Sequence, residues 1–436
     1  MTSLSLENLK SSAQEIVGWL TSPRFVLENG MLSCVVNGKK SPYHLLPDLG
    51  DYLPFLIIFN AEEFAKQHMK DVVKLSPDGL VPTQIEKQGL KTLTSYEHTD
   101  FLLGLLDYYD LTGDKTYLPY TLTAAKKCIK TFKIGRLSRS YYSPQLHFSL
   151  PICDTRDGMF IELFNRLSKF DENFKQKSLQ LFQSFIANKF FQKYSVFPEF
   201  ILTSPLIKAA SLISKKLNKR FKHVVATKNN TNTLFSFIDL YKKTEREDVA
   251  SATIKLINGI QKQFSTGQAL VRYKDKITDK PKTNEIDLGA NFAFIDALCD
   301  SYQFLKYDKA KNMAVNIADY WLEQQSVITG LFPLTSYVVY DDLDCQTDMM
   351  IALIKLSEIS GDRKYYQAAE KCLEGVLKYH RTPDGYYLSI NIYNGQVVRK
   401  GYKTKFIALF LKALYCFIQQ KPIYSDEEFF ELLKDR

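Results

Sequence analysis

One phrase recurs along almost the whole chain: a polar or acidic residue, an apolar helix, a short turn often holding Gly-Asp or Asp-Lys, an amphipathic helix, then a Gly-containing turn. Each phrase is a helical hairpin. A hairpin cannot bury its apolar face alone, so the repetition commits the chain to stacking hairpin on hairpin. The clearest copy begins at Asp344, carries an apolar run over 349–356, turns at Gly361-Asp362-Arg363, continues over 365–379 and ends at Asp384-Gly385. The glycine suits the left-handed position after a helix, and the aspartate suits the cap of the next. A second copy begins at Glu97, runs over 101–111, turns at Gly113-Asp114-Lys115 and resumes over 122–132. A third begins at Asp287, turns at Tyr307-Asp308-Lys309 and ends at Thr329-Gly330-Leu331-Phe332-Pro333; a fourth runs from Asp48 to Asp78-Gly79-Leu80-Val81-Pro82. Weaker copies begin near Asp154 and Asn232. Asp51, Asp100, Asp157, Asp287 and Asp348 recur at roughly 50 to 65 residues, with one double interval where the Asn232 unit falls.

The two helices of a pair differ in polarity. First helices, such as 53–59, 101–106 and 290–298, are apolar nearly all round, as burial on every side requires. Second helices carry one apolar stripe, as in Ala368, Ala369, Cys372, Leu373, Val376 and Leu377, opposed by Glu370, Lys371, Glu374 and Lys378. The pattern predicts an all-α fold, an α/α toroid of six to seven hairpins whose first helices form an inner ring around one cavity. The N-terminal helix and the last strong helix, over 405–418, lack partners nearby in sequence; pairing with each other supplies the seventh hairpin and closes the ring. Residues 25–36, with turns at Glu28-Asn29-Gly30 and Asn37-Gly38, read as a small β-hairpin over one face, partly covering the cavity.

Composition adds no boundary. A hydrophobic fraction of 45% is spread evenly, and no Gly-, Ser- or Pro-rich linker or like-charge tail interrupts it, so residues 1–436 are expected to form a single domain. Glu7, Lys10 and Glu15 interrupt the first helix, unlike a secretory leader. The most apolar runs, 55–59 and 406–410, fall far short of the roughly 20 residues that span a bilayer, so no membrane association is expected. The seven cysteines lack paired spacing, and Cys128, Cys299, Cys372 and Cys416 fall on apolar helix positions. They read as small buried hydrophobes in a reducing compartment, and the expected location is the cytoplasm. The formal charge of +9 is scattered, apart from groups at 215–222 and 399–405. That distribution does not suggest nucleic acid; a basic cavity for an acidic small substrate accounts for it.

This pattern resembles the six-hairpin glycosidase superfamily, the α/α toroids that include unsaturated glucuronyl hydrolases, N-acylglucosamine 2-epimerases and several polysaccharide lyases. The likeness rests on the hairpin rhythm, the Gly-Asp turn and the acidic starts of the inner helices, and it covers almost the whole chain. It implies a carbohydrate substrate and an active site in the funnel at the N-terminal ends of the inner helices.

At those ends stand Asp48, Asp51 and Tyr52; Glu97, His98 and Asp100; Asp154, Arg156 and Asp157; Glu285 and Asp287; and Asp344 and Asp348, with Tyr402, Lys403 and Lys405 ahead of the final helix. Asp51, His98, Asp100, Asp157, Asp287 and Asp348 are the catalytic candidates. A carboxyl raised in pKa by burial, beside one kept ionised, can serve as general acid and base, and a histidine between Glu97 and Asp100 can do either near neutral pH. Asp48, Tyr52, Glu97, Asp154, Arg156, Glu285, Asp344, Tyr402, Lys403 and Lys405 are the substrate-binding candidates. Aromatic faces stack sugar rings, as Tyr43, Tyr96, Tyr141, Tyr142, Tyr337 and Tyr340 also can, while Arg156, Lys403 and Lys405 can hold a uronate carboxylate. Every one of these aspartates has a second use, as a helix N-cap or as a first-turn charge on the dipole. His380, ending an outer helix, reads as structural.

No metal pattern, phosphate-cradling Gly loop, dinucleotide fingerprint or nucleophile elbow occurs, so neither metal nor cofactor is expected. The leading expectation is a glycoside hydrolase acting on an oligosaccharide or glycan fragment, uronate-containing ones included. A sugar epimerase or polysaccharide lyase using His98 and tyrosines comes second, and a non-catalytic helical-repeat binding protein third.

Overall fold

The computed structural model describes residues 5–81, 93–203, 224–275, 280–281, 285–424, 427, 429–430 and 433. Pro82, at the end of the fourth phrase, and the basic group at 215–222 lie outside the described residues. The described helices are α1 (Leu6–Leu20), α2 (Leu49–Ile58), α3 (Glu62–Leu75), α4 (Ser95–Thr112), α5 (Leu118–Thr131), α6 (Met159–Leu167), α7 (Glu172–Ile186) and the short α8 (Lys189–Tyr194). They continue as α9 (Thr227–Thr244), α10 (Glu247–Phe264), α11 (Leu288–Leu305), α12 (Asp308–Gln324), α13 (Leu343–Ser360), α14 (Arg363–Gly375) and α15 (Thr404–Gln419). Among the described residues no helix is long and apolar enough to cross a membrane. The chain divides into two compact units, one of Met1–Pro77, Leu103–Leu118 and Ala314–Arg436, the other of Asp78–Leu102 and Pro119–Met313.

In the first unit the terminal helices pair, as their lack of nearer partners predicts: α1 packs on α15, which also packs on α13 and α2. α1 buries one stripe, Leu9, Ala13, Ile16, Val17 and Leu20, and its Trp19 meets Tyr386 edge-on at 5.7 Å. Burial follows the polarity of the sequence. α13 is buried at nearly every position from Leu343 to Leu356, whereas its hairpin partner α14 buries only Tyr365, Ala368, Ala369, Cys372, Leu373 and Gly375. The expected hairpin at 25–36 resolves into two smaller turns. Val26 bridges Leu32 around Gly30, and strand Val35–Asn37 pairs with Lys39–Lys40 across Gly38 and with Tyr402–Lys403. The N-terminal arm is thereby fastened to the strand that leads into α15.

Backbone approach fixes where α2 meets α4. A Cβ on Gly104 would lie 2.4 Å from the Gly50 nitrogen and 2.8 Å from the Leu49 Cβ. Gly104→Ala is therefore expected to cost about 1–3 kcal/mol, read as a lowered denaturation midpoint. Gly18→Ala, in the α1 interior with nothing within 4 Å of the new atom, is expected to stabilise by about 0.5–1 kcal/mol.

In the second unit α6 pairs with α7 and α9 with α10, while α9 also packs on α6 and α11. A phenylalanine cluster fills the space between: Phe182 meets Phe237 at 5.0 Å, Phe185 meets Phe197 at 5.3 Å and Phe164 meets Phe174 at 5.7 Å. The weak Asn232 phrase belongs to α9, which begins at Thr227. Strands of two or three residues precede several inner helices, Leu93–Thr94 before α4, Ile152–Asp154 before α6 and Val224–Ala226 before α9. They are too short for an alternation pattern to reveal in sequence.

Candidate active site

Four inner helices repeat one device at their starts. The fourth residue of α9, Asn230, accepts the Phe197 N–H at 2.7 Å and donates to the Phe197 carbonyl at 3.0 Å. Asn291, fourth in α11, makes both bonds to Leu270 at 2.8 Å. Gln346, fourth in α13, makes them to Phe332 at 2.9 and 2.8 Å. Each amide pins the chain that leaves the preceding outer helix. His98, fourth in α4, occupies the same place: its Nε2 accepts the Val81 N–H at 2.9 Å, so its Nδ1 is the proton carrier and donates to the Thr94 carbonyl at 2.6 Å. The ring is fully enclosed, and burial brings its pKa down to about 4 despite the Thr94 bond. His98 is thus a backbone staple with no path to a substrate, a correction to its expected catalytic role. His98→Gln, which reproduces the neighbouring amides, should retain stability and any activity, whereas His98→Leu strands a buried N–H and should cost about 1–3 kcal/mol in denaturation.

The second unit gathers Tyr96, Tyr141, Asp154 and Arg156. Asp154 ends strand Ile152–Asp154 and caps the following turn through the Arg156 N–H at 2.9 Å. Its wholly buried carboxylate takes the Arg156 guanidinium in two bonds, 3.0 and 2.7 Å, and the Tyr141 hydroxyl donates to it at 3.2 Å. The guanidinium lies 3.5 Å from the centre of the Tyr96 ring. Burial opposes its charge, but Asp154 outweighs burial and holds it ionised. The result is a rigid planar platform, 29% exposed at Arg156, whose charge is already matched. Asp157 is fully buried and accepts from the Ser95, Ser138 and Ser140 hydroxyls, the last at 2.5 Å. Burial, with Asp154 adding, lifts its pKa to about 7 against the pull of the three serines. Enclosed in this way it ties α4 to the strands and cannot touch substrate, which corrects its expected catalytic role.

Other candidates in this unit are taken up locally. Asp287 caps α11 by accepting the Ala290 N–H at 2.8 Å and lies 3.7 Å from Arg272; burial raises its pKa against both. Capping is the use the structure gives it. Glu97 accepts the Thr94 hydroxyl at 2.8 Å, and Asp100 and Glu285 are half-buried.

The first unit gathers Asp48, Asp51 and Lys405. The Lys405 ammonium, in the first turn of α15, lies 2.6 Å from Asp48 Oδ1 and 2.8 Å from Asp51 Oδ2. Asp48 sits at the cap position of α2 but makes no side-chain capping bond. Burial raises its pKa, with Lys405 opposing and Asp51 adding. Burial works against the Lys405 charge too, yet the two carboxylates outweigh it. All three side chains remain partly open, 26%, 35% and 28% exposed for Asp48, Asp51 and Lys405. Cys34 borders them, its thiol pushed up to about 12 by burial and the Asp48 charge. Lys403 stands nearby, its ammonium 3.9 Å over the Phe406 ring.

Two tyrosines expected to bind substrate are enclosed instead. Tyr52 is fully buried, its hydroxyl 2.8 Å from His68 Nε2, while His68 Nδ1 reaches the Gly30 carbonyl at 3.0 Å. Tyr402 is 9% exposed, packed against Tyr387 with rings 6.1 Å apart, and its hydroxyl meets Thr382 Oγ1 at 3.1 Å. Asp344 and Asp348 are half-buried on α13. The cap of that helix is Asp342, which the sequence reading passed over; it accepts the Asp344 N–H at 3.3 Å and pairs with Arg399 at 2.6 Å. The acidic run Asp341-Asp342-Leu343-Asp344 was the available signal. Among the described residues no group of three or more His, Cys, Asp or Glu is arranged to hold a metal.

No family model and no curated protein sequence matches the chain. Solved structures do. An alpha-1,2-mannosidase from Trichoderma reesei aligns with a TM-score of 0.63 at 12% identity, over 95% of this chain and 92% of that one. Cellobiose 2-epimerase from Bacillus thermoamylovorans aligns with a TM-score of 0.57 at 13% identity, over 79% and 92%. An unsaturated glucuronyl hydrolase specific for heparin aligns with a TM-score of 0.54 at 14% identity, over 95% and 99%. At these identities the likeness establishes the fold alone, an α/α toroid.

Proposed function

We propose that this six-hairpin toroid chain is a carbohydrate-active enzyme, and that Asp48, Asp51 and Lys405 carry its chemistry as a glycoside hydrolase. The observation behind the reading is a pair of part-exposed carboxylates, free of capping duty at Asp48, held together by one equally part-exposed ammonium. Lys405 touches both carboxyls and so holds them close together; of the two glycosidase arrangements, the short separation of retaining enzymes, about 5–5.5 Å, is the one a shared ammonium favours. Asp48, with its raised pKa, is the proton donor to the leaving-group oxygen. Asp51, more open to solvent, is the partner at the anomeric carbon, and Lys405 offsets the charge the pair would otherwise accumulate. The sugar-processing enzymes that share the fold support a carbohydrate substrate, here an oligosaccharide or glycan fragment. The seven free thiols, six of them buried, support a cytoplasmic setting.

Histidine-based epimerisation has less support. Among the described residues, His44, His68, His98 and His380 are buried, and His147 stands on an exposed turn bonded to Tyr142; His223 lies outside the described residues. The test is incubation with mannobiose, cellobiose and an unsaturated uronyl disaccharide, followed by NMR. Hydrolysis releases a new reducing end; an isomer formed without water uptake overturns the hydrolase reading. Asp48→Asn and Asp51→Asn should each lower kcat about 10²–10⁴-fold with the fold retained by circular dichroism, and undiminished turnover by both removes them from the mechanism. Since the protonated Asp48 is the active form, kcat/KM should fall as pH rises through its raised value.

A further inference from the structure

The stretch from Lys115 to Cys153 holds seven Lys and Arg residues and no Asp or Glu. Two of these cations are drawn to acids elsewhere, Lys126 to Asp171 at 3.0 Å and Lys127 to Asp78 at 3.7 Å. Lys130, Lys133 and Arg136, at the end of α5 and just beyond it, are exposed and make no ion pair among the described residues. Beside them stands the hairpin of strands Tyr141–Ser143 and Phe148–Leu150. Ser149 is buried, and its hydroxyl donates to the Thr131 carbonyl at 2.8 Å, which sets the second strand against the end of α5. Strand alternation then turns Phe148 and Leu150 outward, 47% and 43% exposed, with Leu146 in the turn 62% exposed. Three large apolar side chains within five residues, next to unmatched cations, are more than the single scattered exposures of an ordinary surface.

From this pairing of apolar hairpin and basic flank we propose that the protein docks here on an anionic phospholipid surface. Leu146, Phe148 and Leu150 enter the boundary between headgroups and acyl chains, while Lys130, Lys133 and Arg136 meet the lipid phosphates and carboxylates. The sign of the charge decides the occupant. A second copy would set the same cations against each other, and a nucleic acid offers bases to stack on aromatic rings but no apolar phase for two leucines. The contact is peripheral, so it needs none of the long apolar runs whose lack argued against membrane association. It stands apart from the hydrolase reading, since no residue is shared and phospholipid has no glycosidic bond.

Co-sedimentation of the full chain with vesicles tests it. Binding to phosphatidylcholine vesicles holding about 30% phosphatidylserine is expected to be at least about tenfold tighter than to phosphatidylcholine alone, and to weaken in about 0.5 M NaCl. The triple variants Leu146→Ser/Phe148→Ser/Leu150→Ser and Lys130→Gln/Lys133→Asn/Arg136→Gln should each lose at least about tenfold in affinity, with an unchanged circular dichroism spectrum. Asn serves at Lys133 because the backbone there is left-handed, with φ 47°. In the otherwise unsubstituted chain, Phe148→Trp should shift its emission to the blue on the serine-containing vesicles. Absence of binding, equal affinity for the two vesicles, or binding without that shift overturns the site. Full affinity in the apolar variant alone would assign the basic flank to a soluble polyanion and overturn the lipid docking; full affinity in the basic variant overturns the role of the charge.

Discussion

Asp157→Ala is expected to lower the stability of the fold by about 3–5 kcal/mol, because it leaves the Ser95, Ser138 and Ser140 hydroxyls without their common acceptor in a dry interior. The measurement is a denaturant titration followed by far-UV circular dichroism. Asp157→Asn keeps the volume and one acceptor, so its cost should be smaller and should depend on pH. The folded value near 7 lies above the unfolded aspartate value near 3.9, so the folded state binds the extra proton between them. The stabilising contribution of the protonated carboxyl is therefore complete below about pH 4 and is lost as pH rises through about 7. Asn carries no such charge, and the variant should gain on the parent protein between pH 5 and 8. A pH-independent difference would mean that Asp157 does not titrate in that window.

Asp341→Ala is expected to cost a similar 3–5 kcal/mol. Asp341 is wholly buried, 2.6 Å from His380 Nε2, and its other oxygen accepts the Ile390 N–H at 2.6 Å. The substitution breaks the bond that holds strand Ser389–Ile390 and leaves an imidazole buried without its carboxylate. Burial pulls the His380 pKa down, but the Asp341 charge and hydrogen bond outweigh it, and the net direction is up. Its contribution is fully present below the unfolded histidine value near 6.5 and is lost as pH rises through the folded one. His68 and His98 run the other way. Both are lowered to about 4, so their neutral forms stabilise the fold above about pH 6.5 and that support is lost as pH falls through about 4. Stability of Asp341→Ala relative to the parent should therefore improve as pH rises; a constant gap would place the whole cost in the Ile390 bond.

The helical hairpins and their inner and outer assignment were legible because both rest on local periodicity. The apolar run over 349–356 is buried at every position, and the stripe from Ala368 to Leu373 is the buried face of α14. The short strands were not legible, since two or three residues carry no period. The site was half legible. Acidic residues do mark the starts of inner helices, but an aspartate has the same identity in sequence whether it caps, pairs or titrates. His98 shows the same limit. Its flanking acids suggested acid–base work, and only the bonds made by Asn230, Asn291 and Gln346 at the same fourth position reveal it as a staple.

The sequence by itself determined a hairpin-built, all-helical toroid and the closure of its terminal helices, because apolar periodicity and Gly-Asp turns act over ten or twenty residues. Tertiary structure alone decided the fate of each polar group. Asp154 and Asp287 became caps, Asp157 an enclosed acceptor, and Asp48 a part-exposed partner of Lys405, 357 residues away in the chain. Burial and partners set a carboxyl's hydrogen bonding and pKa, and both come from segments distant in sequence.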